Sequence, residues 1–166
     1  MEESSIRGAI LSQYRASLAM LRQCIEICSD ELWTASGFRN PFWHIAYHAA
    51  FYTHLYVQES EAAFRAWEKH VPDSQYLGAR PWAPDEPVKI PRPYAKAEVL
   101  EYLALCCAEV DSHVPRLSLE AESGFYWLPF NKLELQFYNI RHLQHHTGQL
   151  ADRLRNAMDC GITWVR

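Results

Sequence analysis

Residues 131–158 read NKLELQFYNIRHLQHHTGQLADRLRNAM. Their apolar residues recur at three- and four-residue steps, the signature of one buried helical stripe. Asn131 followed by Glu134 has the form of a capping box with Asn as the cap. The apolar period runs to Met158, and Gly161 is the expected C-terminal stop. On this helix His142 and His146 are an i, i+4 pair, so their side chains lie one above the other on a single face. That face also carries Leu135, Leu143 and Leu150, with Asn139 and Gln149 above and below the imidazoles.

The same periodicity marks three more helices. Ile6, Ile10, Tyr14, Leu18, Leu21, Cys24, Ile25 and Cys28 mark a first helix over Ser5 to Cys28, which Ser4 or Ser5 can cap. A second begins at Asn40-Pro41, an N-cap side chain followed by a ring suited to the first helical position, and no Gly or Pro interrupts it before Pro72. From Val71 to Pro93 come six of the nine prolines, which predicts a long loop. Val99, Leu103, Cys106, Val110 and Leu117 mark a third helix that Pro115 ends or kinks. An aromatic loop, Ser118 to Phe130, leads into the fourth. The expectation is an all-α four-helix bundle of one domain over 1–166, with a long loop between helices two and three that permits a crossover.

Composition agrees and narrows the function. The chain has 166 residues, 49% hydrophobic and 22% charged, with six Trp, nine Tyr and seven Phe, so it is a folded domain large enough for its own core. A net charge of -4 without a basic block argues against nucleic acid as a partner. The longest apolar run, Tyr102 to Ala108, is far short of a membrane span, and MEESSIRG lacks the form of a secretory signal. Five cysteines, an odd number with Cys106 and Cys107 adjacent, do not form a disulfide framework; the expected compartment is the reducing cytoplasm.

Eight histidines are concentrated in helices two and four. His48 shares its face with Ile45, Phe51, Tyr52 and Leu55 and should point into the bundle. One imidazole from helix two and two from helix four can converge on a divalent ion, zinc first, then nickel or iron, and three ligands leave a position open for water or a thiol. The residues alone also allow hydrogen-bonded core histidines. His44, one turn before His48, is a candidate fourth ligand or substrate contact. Helical phase turns His54 and His145 toward solvent or a partner subunit, and His113 sits where it can meet the dipole of helix three. Cys106 reads as a small buried hydrophobe more than as a ligand. H-L-Q-H-H places Leu143 where a zinc protease needs its general-base Glu, which disfavours peptidase chemistry.

NPFWHIAYHAAFY at 40–52 and ELQFYNIRHLQHHTGQL at 134–150 together resemble the DinB/YfiT-like superfamily. The resemblance implies an up-down-down-up four-helix bundle in which three histidines hold a divalent metal. By motif these are His48, His142 and His146, with Gly148-Gln149 following the last ligand. Members include thiol-dependent transferases and isomerases that use bacillithiol, mycothiol or glutathione. The resulting expectation is a metal-dependent enzyme, a thiol S-transferase or related hydrolase acting on a small electrophile. His44 is a candidate substrate contact, and helical phase adds Tyr52, Asn139 and Gln149 as groups that orient ligands or substrate and Arg153, two turns below His146, as a contact for an anionic group. A homodimer with no membrane partner is expected. The alternative is a non-catalytic metal- or small-ligand-binding bundle acting as a sensor or dimeric interaction module.

Overall fold

The structure is a computed structural model and describes residues 2–166. Five α-helices, α1 Glu3–Ile27, α2 Asp30–Trp33, α3 Phe42–Tyr56, α4 Lys96–His113 and α5 Lys132–Met158, are joined by loops, with a 3-10 turn at Val114–Arg116. No strand occurs among the described residues. α1 and α3 each pack against both α4 and α5, so the four long helices surround a common core. Among the described residues no helix is long and apolar enough to cross a membrane.

The stripes seen in the sequence are the buried ones. In α1 they are Ile10, Tyr14, Leu18, Leu21 and Ile25, and in α5 Leu135, Asn139, Leu143, His146, Leu150 and Leu154. α3 differs, because it is buried nearly all round, as an interior helix must be. Its outer face is covered by the long loop and by α4: Tyr94 stacks on Tyr47 at 4.4 Å, Trp67 stacks on Tyr102 at 4.9 Å, and Phe64 meets Phe51 edge-on at 5.4 Å.

That covering explains the main departures from the sequence reading. The second long helix does not run on toward Pro72 but ends at Tyr56 with Val57 as its cap. The loop therefore starts well before Val71 and continues to Ala95. No breaker residue stops this helix; tertiary contacts do. Lys132, buried at the start of α5, donates from Nζ to the carbonyls of Gln58 (2.8 Å) and Ser123. Glu61 N donates to the Gly124 carbonyl at 3.1 Å. Gly124 has φ +83°, and a Cβ there would stand 2.3 Å from the Glu59 carbonyl oxygen, so only glycine allows this approach.

The helix ends differ in smaller ways. Pro41, not Asn40, occupies the cap position of α3, and no side chain caps it. The short helix α2 is additional to the four expected from the sequence, and Ser29 accepts from Leu32 N as its N-cap. Asn131 caps α5 as expected, accepting from Glu134 N at 2.9 Å. At the other end Asp159, in the left-handed conformation with φ 50°, terminates α5 ahead of Gly161. Pro115 lies in the 3-10 turn that closes α4.

Candidate metal centre

α3 and α5 face each other through the middle of the bundle, and this pairing brings His48 to His142 and His146. One nitrogen from each imidazole lies within 4.8 Å of the other two. The ring centroids are 4.6 to 4.9 Å apart, and the Nε2 atoms of His48 and His142 are separated by 3.0 Å. The cluster contains three imidazoles and no carboxylate.

Hydrogen bonds at the far sides of two rings decide which nitrogens are available. Nδ1 of His48 is 2.6 Å from the Gln75 carbonyl, which only accepts, so Nδ1 carries the proton and Nε2 presents a lone pair. Nδ1 of His146 is 2.7 Å from Gln149 Oε1, with the same consequence. Such outer partners are what orients histidine ligands at metal sites. His142 has no such partner: its Nδ1 is buried and unpaired. Burial pushes the basicity of all three down, His48 to about 2 and His142 to about 3, and in His146 the Gln149 bond partly offsets the effect. All three are neutral at pH 7, the form that binds metal. Three neutral imidazoles crowded together, two with Nδ1 held by outer acceptors and one with an orphaned nitrogen, fit a divalent cation.

Around this core, Tyr52 sets its ring edge-on against His48 (4.8 Å) and His142 (5.4 Å), and burial raises its phenol well above the usual range. Tyr52 is therefore a hydrogen-bond donor, not a base. Asn139, one turn before His142, is fully buried; its Nδ2 donates to the Thr53 carbonyl at 3.2 Å while Oδ1 is unpaired. Gln149 serves as the acceptor for His146.

His44 is separate from the cluster. Its Nε2 lies 3.0 Å from the Ser74 carbonyl and its ring stacks on Trp43 at 4.8 Å. Consecutive carbonyls of Ser74 and Gln75 thus hold two successive turns of α3, through His44 and His48. Arg153 donates from one Nη to the Asn40 carbonyl at 2.7 Å and stacks over Phe38 at 4.2 Å, tying α5 to the start of α3. Cys106 is fully buried and donates from Sγ to the Ala50 carbonyl at 3.4 Å. His145 is exposed. His113 pairs with Glu109 on its own helix at 3.2 Å.

His54 corrects the helical-phase reading, which turned it outward. It is 4% exposed, with Nδ1 3.1 Å from Tyr102 Oη and its ring against Phe64 at 4.9 Å. The loop after α3 folds back over a face that would otherwise meet solvent. Sequence reasoning missed Gln75, because its contribution is a backbone carbonyl and leaves no mark on residue type.

A family model of the DinB superfamily matches residues 13–150, a span that includes all of α3 and every histidine of the cluster. The chain belongs to the DinB superfamily. Among curated proteins none matches it, and among solved structures none does. Membership of the DinB superfamily agrees with the all-helical architecture, and the three-histidine cluster on the second and last long helices fits a metal-binding protein.

Proposed function

We propose that this DinB-superfamily chain is a metal-dependent enzyme that transfers a small thiol to an electrophile, or hydrolyses a related small substrate, at the site formed by His48, His142 and His146. The observation that carries the reading is the orientation of His48, whose Nδ1 meets the Gln75 carbonyl while its Nε2 faces His142 at 3.0 Å; the Gln149 acceptor at Nδ1 of His146 likewise leaves Nε2 of that ring with the lone pair. A divalent cation bound there supplies a Lewis acid with open positions, which lowers the pKa of a thiol or water.

The chain's own groups define the rest. The cluster offers no carboxylate, and its imidazoles resist protonation, so it holds no strong general base or acid. This favours a nucleophile that is easily ionised, a thiol before an alcohol. The Gln75 carbonyl and Gln149 hold two imidazoles in position, while Tyr52 covers His48 and His142 and has a phenolic proton to donate. All five cysteines are free, which supports a reducing, cytoplasmic setting.

The test is conjugation. Protein reconstituted with zinc, nickel or iron(II) is assayed with bacillithiol, mycothiol, glutathione and simple thiols against a panel of electrophiles. Metal-restored product formation that His142→Ala abolishes is expected. A tightly held metal without turnover on any pair would favour the non-catalytic binding bundle instead.

A further inference from the structure

On the outer side of the cluster, α5 carries Tyr138, Arg141, His142 and His145 at i, i+3, i+4 and i+7, a single stripe of the helix. These four residues line a cleft of about 250 Å³. Because His142 belongs both to the cleft and to the three-histidine cluster, the cleft opens beside the candidate metal centre. It is smaller than the roughly 300–1,000 Å³ of whole ligand sites, the size of a subsite for one part of a ligand.

Its chemistry is cationic and aromatic. The Arg141 guanidinium carbon lies over the Tyr138 ring, 5.4 Å from its centroid, a cation–π contact. Arg7, Arg15, Arg22, Arg80 and Arg92 all pair with carboxylates, and Arg153 donates to a carbonyl. Arg141 has no such partner among the described residues, and His145 adds an exposed imidazole. No Asp or Glu lines this cleft, whereas four larger clefts of this acidic chain each include at least one.

We propose that the cleft binds a carboxylate of the substrate taken by the three-histidine centre, with Arg141 as the specificity-determining residue, so that the substrate class is a small acidic thiol or its acidic adduct. The proposal rests on the reading of His48, His142 and His146 as a metal centre. It replaces Arg153, which helical phase offered for an anion and which the structure ties to Asn40 and Phe38.

The experiment titrates 3-mercaptopropionate and its neutral methyl ester into zinc-loaded protein by calorimetry, with metal content measured on the same samples. A guanidinium–carboxylate contact at an open cleft should make the acid bind about tenfold tighter than the ester in wild type, less so at high salt. In Arg141→Gln the ratio should fall to about one with ester affinity and metal content unchanged, and Arg155→Gln should keep the wild-type ratio. A preference that survives Arg141→Gln, or is absent in wild type, overturns the proposal. If wild type retains no metal, the metal reading fails separately. The subsite is then judged on metal-free protein by NMR: acid-specific shifts at Tyr138, Arg141 and His145 that Arg141→Gln abolishes support it, and equal response to acid and ester overturns it.

Discussion

Replacing Gln149 by Leu removes the acceptor that fixes His146 while leaving every cluster imidazole in place. In the structure Gln149 Oε1 receives the Nδ1 proton of His146 at 2.7 Å, and Gln149 is otherwise exposed. Losing an outer-shell partner of a histidine ligand costs about 10- to 100-fold in metal affinity. Water can replace part of an exposed acceptor, so the lower end applies: about tenfold, or ~1.4 kcal/mol. The assay is zinc competition against a chromophoric chelator at pH 7.5, with thermal melting of the metal-free proteins as the control. Gln149→Leu should bind about tenfold more weakly with an unchanged melting temperature. Gln149→Glu should bind at least as tightly as wild type, since an ionised acceptor strengthens the bond to Nδ1. Equal zinc affinity in wild type and Gln149→Leu would refute the claim that this hydrogen bond prepares Nε2 for a metal.

Three other outcomes follow from the geometry. Gly124→Ala combines a left-handed φ with a 2.3 Å approach to the Glu59 carbonyl, so it should destabilise the fold by about 1–3 kcal/mol or more, read as a lower denaturation midpoint; an unchanged midpoint contradicts it. His54→Ala removes a buried ring and its bond to Tyr102 and should cost about 2–3 kcal/mol while leaving zinc stoichiometry at the wild-type value; loss of zinc with a fully stable fold would show that the assignments of His54 and the cluster are exchanged. For pH, burial holds His48, His142 and His54 at about 2, 3 and 4, below the ordinary histidine value of 6.5, so the unfolded chain takes up protons first on acidification. The stability they contribute is fully present above pH 6.5 and is lost as pH falls through the folded values. At pH 5 the metal-free protein should have lost up to about 2 kcal/mol per histidine in chemical denaturation, and equal stability at pH 7 and pH 5 would contradict this.

What the sequence disclosed and what it hid divide along one physical line. The stripes of α1 and α5 were legible because each helix buries one face, so period and burial coincide from Ile10 to Ile25 and from Leu135 to Leu154. His142 and His146 were legible for the same reason, since i, i+4 spacing on a shared apolar face is a local property. α3 escaped this logic. A helix covered on all sides has no solvent face to mark its phase, so His54 was placed outward and is in fact buried against Phe64 and Tyr102. Its end was equally hidden, because the stop is made by Lys132 and Gly124, more than sixty residues downstream. The orientation of His48 depends on a backbone carbonyl at Gln75. Arg153 looked like an anion contact by phase, but only coordinates show its guanidinium on Asn40 and Phe38, with Arg141 beside the cleft.

A metal centre here requires nitrogen atoms from α3 and α5 to share one cation, and elemental analysis of metal-loaded, exhaustively dialysed protein tests that most directly. Wild type should retain one divalent ion per chain, and His146→Ala, folded by circular dichroism, should retain only a small fraction of that. Equal metal content in the two proteins would contradict it.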